Sequence, residues 1–177
     1  MNKLTIFVVI YIIFSVGCIQ KKKTDNYELA TNINTIWGKK LILDDSLFDS
    51  YCVGHVNKKF RIVSILDGDC SCSVETLERW QEYRNTNELI ARNTEIIIFM
   101  TTEREFFVHE EIFKKIAPNI CLIFDPNNTF TVVNNLTYTS NNFMTFLIDS
   151  TKTVKLVGNP LLNKEIKKLY QNYLSDK

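Results

Sequence analysis

The stretch FRIVSILDGDCSCSVETLERWQEY, Phe60–Tyr83, carries three signals in succession. Phe60 to Leu66 is apolar and rich in β-branched residues, the composition of a strand, and Asp67-Gly68-Asp69 is turn chemistry that ends it. From Ser73 onward, Val74, Leu77, Trp80 and Tyr83 recur at helical spacing among Glu75, Glu78, Arg79, Gln81 and Glu82, which predicts a one-sided helix. Between strand and helix stand Cys70 and Cys72, one residue apart. A thiolate is the nucleophile of disulfide exchange, and the partial positive charge at a helix N-terminus favours it. The order strand, cysteines, helix therefore makes this pair the candidate site.

Working downstream, Glu95 to Met100 (EIIIFM) is a nearly unbroken apolar run, the pattern of a parallel strand buried on both faces. Between Glu103 and Ala117, the residues Phe106, His109, Phe113 and Ile116 share one helical face, which predicts a covering helix. Ile120 to Phe124 reads as another buried strand, stopped by Asp125-Pro126-Asn127-Asn128. Asn134 to Asn142 is polar and loop-like. Phe143 to Ile148 and Thr153 to Val157 flank Asp149-Ser150-Thr151-Lys152, which predicts an antiparallel hairpin. Gly158-Asn159-Pro160 then offers a break, a cap and a first-turn proline, followed by a helix with Leu162, Ile166, Leu169 and Tyr173 as its apolar stripe. The expectation is an α/β fold: a central mixed sheet, flanking helices, and a C-terminal hairpin plus helix.

Upstream, Lys3 precedes an uncharged run from Leu4 to Phe14, eleven residues where a bilayer span needs about 20. Met1–Gly17 therefore reads as a secretion signal. Ser15-Val16-Gly17-Cys18 resembles the bacterial lipobox, and that resemblance implies lipid attachment at Cys18, although Ser15 stands where the family usually has Leu. Lys21 to Lys23 and the polar Thr24–Asn34 read as a solvated tether. The expected organisation is signal peptide 1–17, tether 18–34, N-terminal extension 35–58 and one domain over 59–177. With 177 residues, 45% of them hydrophobic, one well-buried domain is what the chain can build. Its 21 basic and 20 acidic residues give no electrostatic case for nucleic acid. Neither GxxxxGK[ST] nor GxGxxG is present, so no cofactor is expected. No nucleophile elbow supports Ser-His-Asp hydrolysis, and the residues before Cys70 lack a peroxiredoxin's Pro and Thr arrangement.

The order strand, helix, strand, helix, strand, strand, helix, with cysteines after the first core strand, resembles the thioredoxin fold over about Lys59 to Leu174. A closer likeness is to bacterial thioredoxin-like lipoproteins of the TlpA type, carried by Ile36-Trp37-Gly38-Lys39-Lys40-Leu41-Ile42, Phe146-Leu147-Ile148-Asp149 and Val157-Gly158-Asn159-Pro160. The resemblance implies that Cys70 attacks and Cys72 resolves the mixed disulfide. It also implies protein thiols or disulfides of the cell envelope as partners, and an extracytoplasmic, membrane-anchored position, on the periplasmic side. Three features depart from the family. Only Ser71 separates the cysteines, so their disulfide closes a smaller ring. Asp67, Asp69 and Glu75 bring negative charge that opposes a thiolate. Asn141-Asn142-Phe143-Met144-Thr145 stands where the family keeps a cis-proline that helps dock substrate backbone; the only prolines are Pro118, Pro126 and Pro160.

Two other readings remain open. The chain is a non-catalytic binding or structural module if the cysteines are incidental, or a soft-metal site if two thiolates join an imidazole. His55 and His109 are the only histidines; His109 on its apolar stripe reads as a buried histidine rather than a ligand, His55 has no recognisable ligand spacing, and no residue is assigned as a metal ligand. With Cys18 lipidated, Cys52, Cys70, Cys72 and Cys121 allow three pairings. Cys52 and Cys121 read as packing residues, with exchange between Cys52 and the pair at 70 and 72 a further option. Trp37 and Trp80 read as core anchors.

Overall fold

Phe60–Asp67 forms strand β1, and everything else in the sheet is arranged about it. The elements that follow are α1 (Ser73–Thr86), α2 (Glu88–Asn93), β2 (Thr94–Thr101), β3 (Cys121–Phe124), α3 (Thr129–Val133), β4 (Thr145–Asp149), β5 (Val154–Val157) and α4 (Lys164–Ser175). This computed structural model describes residues 35–44, 52, 58–102, 113–136 and 144–176. The signal segment, Cys18, the tether, His55, His109, Phe106 and Asn141-Asn142-Phe143 lie outside the described residues.

The five strands run in the order β3-β2-β1-β4-β5. β1 pairs parallel with β2 and β2 parallel with β3, whereas β4 is antiparallel to both β1 and β5. Parallel neighbours need a crossover, and α1 with α2 supplies it between β1 and β2. β2 is buried on both faces, as its unbroken apolar run requires. Ile62, Ile96, Ile98, Met100, Leu122 and Leu147 meet the helix layer, where Leu77, Trp80, Ile90, Tyr170 and Leu174 complete one core cluster. Because side chains alternate along a strand, Val63, Ile97, Phe99 and Phe146 face the other way, and they too are buried. Phe99 stacks on Phe130 of α3 there, ring centroids 4.1 Å apart. Among the described residues no helix is long and apolar enough to cross a membrane.

The N-terminal extension covers the exposed edge of β5. The Gly38 N–H donates to Val154 O (3.0 Å), the Val154 N–H to Lys39 O (2.9 Å) and the Leu41 N–H to Lys152 O (2.9 Å), so an open sheet edge gains partners. Gly38 bends the chain into that path at φ +78°. Asn134 then holds the segment from the side: its Oδ1 accepts from the Ile42 N–H (2.6 Å) and its Nδ2 donates to Ile42 O (2.9 Å). The Lys39 Nζ donates to the Asn134 carbonyl.

Several expectations need correction. Trp37 is not a core anchor: it is 65% exposed and its Nε1 donates to Lys155 O (3.0 Å) across the β5 edge, while Trp80 is 1% exposed and is one. On α1 the buried face is Ser73, Leu77, Trp80, Gln81 and Tyr83, and Val74 is exposed. The last helix starts later than the proline suggested. Asn163 caps it, its Oδ1 accepting from the N–H groups of Glu165 (2.8 Å) and Ile166 (3.2 Å), and Pro160 lies in the preceding turn. Its buried residues are Tyr170 and Leu174, so Leu162 and Leu169 face outward. The short α2 and α3 were not anticipated, being too brief to show a stripe. The turn cluster at Asp125 serves α3, since its two carboxylate oxygens accept from Thr129 N and Phe130 N, both at 2.7 Å.

The hairpin between β4 and β5 is closed by Asp149. Partial burial alone would raise its carboxyl, but hydrogen bonds from Thr151, Lys155 and Thr153 outweigh that and hold it down at about 2, below the ordinary 3.8. The folded value lies below the unfolded one, so this stabilisation is present above the ordinary value and is lost as pH falls toward 2. Urea unfolding of wild type and Asp149→Asn should therefore differ at about pH 5 and converge near pH 2.

Candidate thiol site

β1 ends at Asp67, level with Thr101 of β2, and the turn that follows is pinned to the end of β2. The Gly68 N–H donates to Thr101 O (2.6 Å), and the Thr102 Oγ1 donates to Asp69 Oδ1 (2.9 Å). Asp67 Oδ1 accepts from the Asp69 N–H (2.9 Å), tightening the turn from within. The approach at Gly68 leaves no room for a side chain: a Cβ would lie 2.8 Å from Thr101 O, 2.8 Å from Met100 Cγ and 3.1 Å from Thr102 Cβ.

This turn delivers Cys70 and Cys72 to the start of α1. The two are joined by a disulfide, with Cα atoms 5.2 Å apart, inside the usual range. Cys72 is the N-cap residue, so Cys70 stands just ahead of the helix rather than within its first turn. It is nevertheless the acceptor for the helix start: its carbonyl takes the Ser73 N–H (3.1 Å) and its Sγ takes the Cys72 N–H (3.2 Å). Donors of this kind, at the positive end of a 14-residue helix, favour negative charge on sulfur. Thr76 closes the first turn, its N–H (3.0 Å) and Oγ1 (2.9 Å) both bonding Cys72 O. Cys72 is exposed and Cys70 half-buried, so the disulfide is open to attack from solvent.

Cys52 and Cys121 form a second disulfide, Cα to Cα 5.0 Å, with Cys121 fully buried and Cys52 6% exposed. Cys52 is thus bonded away from the pair at 70 and 72. Cys121 pairs with Ile97, and Ile97 with Val63, four residues short of Asp67 and two strands across from β1. At about 3.3 Å per residue and 4.8 Å per strand, that is roughly 13 Å along and 10 Å across the sheet. The sequence left this pairing open. Thr101 and Thr102, which hold the turn, were not singled out at all, because nothing in their spacing marks them.

No protein-family model matches the sequence, and no curated protein matches it either. Solved structures do. A thioredoxin-like protein determined in solution in its oxidised form superposes with a TM-score of 0.52 at 10% identity, covering 82% of this chain and 95% of that one. The fold is thioredoxin-like. A thioredoxin-like protein from Aeropyrum pernix aligns over 86% of this chain and 99% of its own at 11% identity, TM-score 0.46. Yeast Sco1 with copper bound aligns over 78% and 92% at 13% identity, TM-score 0.47. In this thioredoxin-like frame the cysteine pair sits at the carboxyl end of the central strand, β1. Among the described residues no group of three or more His, Cys, Asp or Glu is placed to hold a metal ion.

Gly68→Ala tests whether the turn depends on its contact with β2. Backbone must move to admit the Cβ, so a stability loss of about 1–3 kcal/mol in denaturant unfolding is expected, together with slower reaction at Cys70. Unchanged stability and reactivity would mean that the turn is not held there.

Proposed function

We propose that this chain exchanges disulfides with protein thiols through Cys70 and Cys72, from the extracytoplasmic side of a bacterial membrane to which Cys18 tethers it. The observation that carries the reading is the solvent-open Cys70–Cys72 disulfide between the end of β1 and the start of α1. In the reducing direction, the Cys70 thiolate attacks one sulfur of a partner disulfide, forming a mixed disulfide and releasing one partner thiolate. Cys72, having given its proton to water or buffer, attacks the Cys70 sulfur and releases the second. The partner gains two electrons and the pair returns to the disulfide, which an external dithiol must reduce before the next cycle.

A second reading is favoured by one specific feature: Asn141-Asn142-Phe143-Met144-Thr145 contains no proline where thioredoxin-like proteins dock substrate backbone. A chain that binds partners without exchanging electrons with them fits that feature.

Cys72→Ser separates the two, since without the resolving thiol a mixed disulfide at Cys70 persists. Exchange predicts a covalent, dithiol-sensitive adduct with an envelope protein in the membrane fraction, absent from Cys70→Ser; replacing Cys18 by Ser should move the chain out of that fraction. An empty trap with partner binding intact in the double Cys70→Ser, Cys72→Ser variant would establish the binding reading instead.

A further inference from the structure

Three acidic side chains surround the cysteines in sequence, and one of them, Asp69, is the immediate neighbour of Cys70. A carboxylate there opposes thiolate formation. Yet Asp69 is held: its Oδ1 accepts from the hydroxyl of Thr102 at 2.9 Å. Thr102 itself is 9% exposed, one residue beyond β2, and its Cβ is among the atoms that close on Gly68. Hydroxyl and turn therefore both contact the residues at the end of β2, Thr101 and Thr102, and the Asp69 side chain is bonded on that side. The Cys70 sulfur takes the Cys72 N–H at 3.2 Å, on the helix side.

We infer that Thr102 is a positioning residue for the thiol site: by holding the Asp69 carboxylate against the end of β2, it limits how strongly that charge opposes the Cys70 thiolate. This rests on the exchange function proposed above. Among the described residues, the charged groups next to Cys70 along the chain are Asp67 and Asp69 in the turn and Glu75 in the first turn of α1. β2 contributes the neutral Thr101 and Thr102; Glu103 and Arg104 come next in the chain and lie outside the described residues. Asp67 differs from Asp69 in bonding back into its own turn through the Asp69 N–H.

The test measures the rate of iodoacetamide alkylation at the Cys70 peptide against pH, by mass spectrometry, in the full chain carrying Cys72→Ser. Thr102→Val should raise the pH midpoint and slow alkylation near neutrality by about three- to tenfold, the range expected for a change of up to one pH unit. Thr102→Ser, which keeps the hydroxyl, should restore the wild-type profile. Asp69→Asn should lower the midpoint, and in that background Thr102→Val should have no further effect. An unchanged profile in Thr102→Val, or an equal shift whether residue 69 is Asp or Asn, overturns the inference; so does an Asp69→Asn profile identical to wild type if Thr102→Val does not fold. Failure of the exchange function is read separately, as absence of a reversible Cys70–Cys72 disulfide in the unmutated chain.

Discussion

The close approach of Gly68 to the end of β2 is the constraint on which the site depends. Backbone stands 2.6 Å from backbone at Gly68 N to Thr101 O, with no Cβ between them. From that contact the turn, the sulfur positions and the first turn of α1 follow. The parallel β1–β2 register that makes it possible runs without interruption from Phe60–Thr94 to Asp67–Thr101. It is secured in turn by the buried faces of β2 and by the layer of α1, α2 and α4. The chemistry proposed for Cys70 is thus a consequence of core packing carried to the end of one strand.

The two disulfides differ in burial and in the length of chain they close. Cys52–Cys121 is buried and closes a sequence separation of 69. By the chain-entropy estimate a loop of that length stabilises the fold by about 4 kcal/mol. It ties residue 52 to β3, at the far side of the sheet from β5, whose edge residues 38–41 cover. Cys70–Cys72 spans one residue and is open to solvent, which suits repeated opening and closing.

Much of this was legible in the sequence where period and composition were strong. The apolar run Glu95–Met100, the strand before Asp67 and the hairpin about Asp149 all have the element type that their residues dictate. Errors came where a local signal competed with a tertiary one. Pro160 looks like a first-turn proline, but Asn163 makes the side-chain cap bonds and Pro160 is buried in the turn. Trp37 looks like core, but its indole N–H serves the β5 edge. Leu169 fits an apolar stripe, but Tyr170 takes the buried place because its hydroxyl reaches Gly158 O (3.1 Å). At the site, Cys70 and Cys72 were visible as a pair, whereas Thr101 and Thr102 become site residues only through pairing across 33 or 34 residues of chain. The Cys52–Cys121 bond was hidden for the same reason.

The most direct test is a redox titration of the full chain, trapping free thiols by alkylation and assigning each cysteine by mass spectrometry. Reversible exchange predicts that Cys70 and Cys72 become alkylatable together, in a single two-electron transition of about 30 mV per tenfold change in the thiol ratio, while Cys52–Cys121 stays bonded and the fold intact. If Cys70 and Cys72 yield thiols only when Cys52–Cys121 breaks and the chain unfolds, or never re-form their bond, the pair is not an exchange site.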